Sequence, residues 1–131
     1  MIDHSGITVS DFKRSKEFYA AVLNPLGYII CKDFGTVVGY GVPAGFGASH
    51  DPGGDFWISA GAPSSPRPHF AFSAQTREAV DAFHLAALVA GATDNGGPGL
   101  RPIYHPDYYA AFVLDPDGYN IEAVCHRRVG G

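Results

Sequence analysis

The sequence predicts an α+β fold of two tandem βαβββ modules that form an eight-stranded curved sheet, a cup, with a helix packed behind each half. Two observations carry this. Strand and helix patterns occur twice in the same order, and a shift of 65 positions lays His4 on His69, Phe18 on Phe83, Ala21 on Ala86 and Leu23 on Leu88 without a gap. The first module spans residues 1–61, a linker 62–68, and the second module 69–126.

The elements follow in order. Ile2 to Val9 and His69 to Ala74 alternate apolar and polar residues as half-buried strands do. Ser10 or Asp11 caps a helix whose stripe of Phe12, Ser15, Phe18, Tyr19, Val22 and Leu23 stops near Pro25 and Gly27. The second helix starts near Thr76, ends at Gly91, and carries Val80, Phe83, Ala87 and Leu88 on its apolar side. Glycine and proline turns then separate strands at Tyr28 to Lys32, Thr36 to Val42 and Asp55 to Ala60. Their counterparts are a weak strand near Thr93, then Tyr108 to Leu114 and Asn120 to His126. Ala62 to Pro68, with three prolines and two serines, reads as the linker. Two long glycine-rich loops, Pro43 to Gly54 and Asn95 to Asp107, fall at equivalent places and read as binding elements.

With 131 residues and 46% hydrophobic content the chain is long enough for one self-sufficient core. A net charge of −4 with nine Lys and Arg offers no footprint for a nucleic-acid backbone or an anionic membrane. Cys31 and Cys125 show neither ligand spacing nor a disulfide framework. The start of the chain lacks the basic and apolar runs of a signal peptide, so the expected location is cytoplasmic.

Three residues converge by this counting. On the last strand Glu122 lies opposite Ile121 and Ala123; His69 lies opposite Phe70 and Phe72; His4 lies opposite Ile7 and Val9. All three therefore face the sheet surface turned from the helices. A buried carboxylate needs a partner, and two imidazoles with a divalent cation supply one. Taken singly, each also has an ordinary structural reading: a surface histidine, a hydrogen-bonded core histidine and a rim charge. Their equivalence under the repeat favours one divalent metal held by His4, His69 and Glu122.

The residues reached in this way, with the run from His4 to Val9, Ser10, Asp11, Ser15, Phe18, Tyr19 and Leu23 to Tyr28, and the run from Phe112 to Glu122 through the turn Asp115, Pro116, Asp117, Gly118, resemble the vicinal oxygen chelate superfamily. That superfamily includes glyoxalase I, bleomycin and fosfomycin resistance proteins and extradiol dioxygenases. The resemblance covers nearly the whole chain. It implies metal ligands on the first and fourth strand of each module, the places of His4, Trp57, His69 and Glu122. Trp57 stands where glyoxalase I normally has a carboxylate, which weighs against glyoxalase chemistry. The remaining two-His, one-carboxylate set resembles the Fe(II) site of extradiol dioxygenases, although those enzymes have four modules where this chain has two.

The favoured expectation is thus an Fe(II)-type dioxygenase acting on a small aromatic or vicinal-oxygen substrate, with Mn, Ni, Co or Zn as other metals for the same site. A glyoxalase I-like lyase or isomerase and a non-catalytic, antibiotic-binding resistance protein are the alternatives. Trp57, Tyr108, Phe112 and Arg101 are expected to line the substrate pocket, and His105 and Tyr104 to act as general acid or base. The resemblance also implies a homodimer, with the metal site either within one chain or shared between two.

Overall fold

The structure is a computed structural model that describes residues 1–128. Its first module runs β1 (Ser5–Val9), α1 (Phe12–Leu23), a short 3-10 turn at Asn24–Leu26, β2 (Ile29–Asp33), β3 (Val37–Gly41) and β4 (Phe56–Ala60). Its second runs β5 (Phe70–Ser73), α2 (Arg77–Val89), β6 (Thr93–Asp94), β7 (Gly99–Leu100), β8 (Tyr109–Leu114) and β9 (Asn120–Cys125). The tandem βαβββ arrangement expected from the repeat is therefore the fold.

The strands form two separate sheets. One has the order β1-β4-β3-β2, the other β5-β9-β8-β6 with β7 also on β8. In each, the first strand pairs in parallel with the last, Gly6 opposite Trp57 and Ala71 opposite Glu122. The second sheet gains its fifth strand because the glycine-rich segment after β6 returns to β8, Gly99 opposite Ala110. A single eight-stranded cup is not closed within one chain: β1 and β5 are both edge strands, each with one side unpaired among the described residues.

Both helices begin on side-chain caps. Asp11 accepts from the Arg14 amide and Thr76 from the Ala79 amide, satisfying amides that have no partner in the first turn. Ser10, the other cap candidate, instead bonds Asp117 in the second module. The helices turn Phe18, Tyr19, Val22 and Leu23, and Val80, Phe83 and Ala87, into one core with Ile7, Phe56, Ile58, Phe72, Val113, Ile121 and Ala123. Leu88, expected on the apolar side of α2, lies at the margin of that face and is 39% exposed.

The helix-side faces of both sheets thus feed one shared core, and Phe56 packs edge-on against Phe70 and Phe72 at 5.6 and 5.1 Å across the junction. By strand alternation the opposite faces, bearing Trp57 on β4 and Glu122 on β9, look away from that core. The turn from Asp115 to Gly118 fastens the modules together. Buried Asp115 accepts the Tyr19 hydroxyl, and the Tyr119 hydroxyl donates to the Thr8 carbonyl at 2.7 Å. No helix of the described residues is long and apolar enough to cross a membrane.

Candidate metal centre

Glu122 sits in the middle of β9 with its side chain only 3% exposed. Both of its oxygens are engaged: Oε1 lies 2.9 Å from His69 Nε2, and Oε2 accepts the Tyr108 hydroxyl at 2.5 Å. His69 stands one residue before β5 rather than within it, and its Nδ1 lies 2.8 Å from the Asn120 carbonyl. A carbonyl oxygen only accepts, so Nδ1 carries a proton in that contact. In the neutral ring Nε2 then turns a lone pair toward a carboxylate oxygen, an arrangement that needs a proton or a cation between the two atoms.

His4 likewise precedes its strand. Its Nδ1 is 2.7 Å from Asp3 Oδ1 and both side chains are largely exposed. That bond raises the His4 pKa above the ordinary histidine value. Asp3, His4 and Asp51 bring one donor atom each within 4.8 Å of one another, and they are the group of three that the described residues assemble. His4 does not join His69 and Glu122 within the chain. Sequence reasoning missed Asp51. Its Oδ1 accepts the Gly53 amide at 2.7 Å, so it reads in sequence as an ordinary turn residue, and only the placement of its loop opposite the second long loop hinted at more.

Beside His4, a cavity of roughly 500 Å³ is lined by His4, Ser5, Gly6, Val37, Asp51 and Trp57. The indole stacks near-parallel on Phe34 at 6.3 Å, with an interplanar angle of 8°. It lies on a floor of backbone: a Cβ on Gly39 would stand 2.7 Å from the ring and one on Gly53 2.8 Å.

The other expected site residues surround Glu122. Phe112 stacks on the His69 ring at 6.1 Å, and the Arg101 guanidinium sits 5.3 Å over Phe112 while donating to the carbonyls of Gly97 and Gly99. Tyr108 packs against Tyr104 at 4.8 Å, His105 at 5.5 Å and His126 at 5.3 Å. Its hydroxyl pKa is pushed up to about 12, first by burial and then by the bond to Glu122.

His105 accepts the Asp107 amide on Nδ1 at 3.1 Å, which leaves Nε2 to donate to His126 Nδ1 at 2.8 Å. His126, which in sequence is only a residue near the chain end, is thus tied to the loop histidine.

A family model described as the Glyoxalase/Bleomycin resistance protein/Dioxygenase superfamily matches residues 1–123. The chain belongs to this superfamily. A crystal structure of a glyoxalase/bleomycin resistance protein from Albidiferax ferrireducens T118 is 30% identical with a TM-score of 0.75, covering 96% of this chain and 98% of that one. A superfamily enzyme from Burkholderia phytofirmans PsJN is 21% identical with a TM-score of 0.69 over 96% and 98% of the two chains. A fosfomycin resistance protein from Listeria monocytogenes, crystallised as a mutant with Mn(II) and a dihydroxypropylphosphonic acid, is 16% identical with a TM-score of 0.66 over 95% and 88%. No curated protein matches the chain significantly.

Proposed function

We propose that this protein is a divalent-metal-dependent enzyme, an Fe(II)-type dioxygenase for a small aromatic or vicinal-oxygen substrate. In this reading His69 and Glu122 of one chain hold the metal together with His4 of a second copy, in a cytoplasmic homodimer. The observation that carries it is the pairing of His69 Nε2 with Glu122 Oε1 at 2.9 Å while His69 Nδ1 is spent on the Asn120 carbonyl. Neighbouring donors each about 2.1 Å from one ion, at a right angle, stand about 3 Å apart. A histidine oriented through its other nitrogen is the usual form of a metal ligand.

His4 is oriented in the same way, through Asp3. Because His4 does not gather with His69 and Glu122 within one chain, this reading draws the third ligand from a second copy. The open edges of β1 and β5 support that arrangement, since an unpaired edge is a template for another strand. A groove of roughly 370 Å³ lies between them, lined by Ser5, Phe56, His69 and Phe70 among others. Free thiols at Cys31 and Cys125 suit a reducing compartment.

Two imidazoles and one carboxylate fit Fe, Mn, Ni, Co or Zn, and such an ion, when bound, supplies open coordination positions and Lewis-acid polarisation for a bidentate oxygen ligand. The chain's own residues bind and orient that ligand. Trp57 and Phe112 form flat walls, and Arg101 screens Phe112 while holding its loop in place. Proton handling falls to the His105–His126 pair, whose other free nitrogen is Nε2 of His126, and to Tyr104, which packs on the same Tyr108 ring.

A second reading has its own support. Asp51 beside His4 offers a carboxylate near the place that Trp57 leaves without one, as a glyoxalase I-like lyase would require. Metal analysis of anaerobically purified protein, with His69→Ala as control and oxygen uptake on catechol-type substrates after Fe(II) loading, tests the proposal. Near one metal per chain, lost in the variant and accompanied by uptake, is expected. Metal without uptake favours the lyase, and no metal under any loading leaves a binding protein.

A further inference from the structure

Tyr108 lies just before β8, where strand alternation alone makes it one more wall of the pocket. Its hydroxyl is not available for that use, because it donates to Glu122 Oε2. We infer that Tyr108 is a positioning residue that makes Glu122 a one-oxygen ligand, holding Oε2 aside so that Oε1 alone faces His69 Nε2. This rests on the metal-centre reading above and goes beyond it by assigning how the carboxylate binds.

A carboxylate free to rotate can grip a cation through both oxygens and take up two coordination positions. Here rotation is opposed at each oxygen by a different group, the Tyr108 hydroxyl at 2.5 Å and the His69 ring at 2.9 Å. The phenol is itself fixed. Tyr108 donates its backbone amide to the His105 carbonyl at 3.2 Å and accepts the Arg101 amide at 2.7 Å. Its ring stands edge-on to both His105 and His126, which hydrogen-bond each other at 2.8 Å.

The aromatic box of Tyr104, His105 and His126 thus acts as the support of a support: it fixes Tyr108, Tyr108 fixes Glu122, and a coordination position stays free for substrate. Outer partners of metal ligands commonly govern affinity in this way.

Tyr108→Phe keeps the ring, and hence the packing of the box, while removing only the hydroxyl. Mn(II) is the probe, titrated into metal-free wild type, Tyr108→Phe and Glu122→Gln, with free and bound ion followed by electron paramagnetic resonance. The expected result is a changed spectrum of the bound ion in Tyr108→Phe, as Oε2 becomes free to join Oε1 on the metal, together with an Mn(II) affinity that departs from wild type by about tenfold or more. Its metal-free melting temperature should stay within about 5 °C of wild type. Tyr108→Phe binding Mn(II) with wild-type affinity and spectrum overturns the inference and leaves the metal centre standing. Wild type that binds no Mn(II) overturns both.

Discussion

His69 and Glu122 face each other across β5 and β9 with Nε2 2.9 Å from Oε1, although the protonated nitrogen of the imidazole is already spent on the Asn120 carbonyl. Two acceptors at that distance repel unless a proton or cation joins them. Glu122→Gln supplies the missing proton, since the amide nitrogen donates to Nε2 while its oxygen still accepts from Tyr108. The variant should keep metal-free stability within about 1 kcal/mol of wild type. It should also lose the stabilisation that metal confers, about 2.7 kcal/mol at a hundredfold excess over Kd. Urea denaturation with and without added metal measures both.

Asp51 separates the two enzymatic readings. It lies with Asp3 and His4 around one point and is tied to the Gly53 amide. With His4, His69 and Glu122 as the complete ligand set, Asp51→Asn, whose side-chain oxygen still accepts from Gly53, leaves metal stoichiometry at the wild-type value. A loss of more than half the metal in this variant would make Asp51 a fourth donor and shift the assignment to a lyase.

Most of this fold is legible in the repeat and in the alternation within it. His4 and His69, Trp57 and Glu122 fall at equivalent places because the two modules are built alike, and Ile121 and Ala123 point to the core while Glu122 does not. Less legible is what depends on the path of irregular backbone. Asp51 reaches His4 only through the loop before β4, and no periodicity reports a loop's course. The tie between His105 and His126 spans 21 residues and needs the turn at Pro106 to bring it about. Nor does a strand pattern state which edge remains open: β1 and β5 read like their neighbours, yet each ends a sheet. Leu88 shows the limit of helical stripes, since one position at the margin of a face is buried or exposed according to the partner.

Asp115 gives the fold a pH dependence opposite to that of most carboxylates. Burial raises its pKa, and the bonds from Tyr19, Tyr119 and Asp117 only partly offset this. The folded state therefore holds the proton more tightly than the unfolded chain, and this group's contribution to stability falls as pH rises from about 4 through its raised folded value. Asp115→Asn removes that titration. The stability of the variant relative to wild type should increase as pH is raised through this window, measured by urea denaturation at several pH values. A difference that stays flat or declines contradicts the assignment.

Gly39 is required by the Gly53 carbonyl and the Trp57 ring packed over it, and not by its own backbone, which takes no left-handed angle. A Cβ there would come within 2.1 Å of the Gly53 carbonyl oxygen and 2.7 Å of the indole. Gly39→Ala must move the loop or the ring, and should destabilise the fold by about 1–3 kcal/mol. The emission of Trp57, the one tryptophan of the chain, should shift to the red as the ring leaves its floor. Ser59, on the same strand face as Trp57, offers the control: Ser59→Ala should leave the emission unchanged.

A metal centre shared between chains has a consequence that a centre within one chain lacks. His4 does not gather with His69 and Glu122 in the chain, and their two modules turn these residues away from a common core. If His4 of one copy completes the centre of the other, His4→Ala and Glu122→Gln damage opposite partners. Each variant alone should bind no metal at this centre. In a heterodimer of the two, one centre receives both lesions and the other receives neither, because the Glu122→Gln chain supplies an intact His4 to the intact His69 and Glu122 of its partner. Isolated heterodimer should therefore recover one metal per dimer, half the wild-type content, detected by metal analysis after separation on distinct affinity tags. Heterodimer without metal would return the centre to a single chain, since there every copy carries one broken ligand and no pairing repairs it.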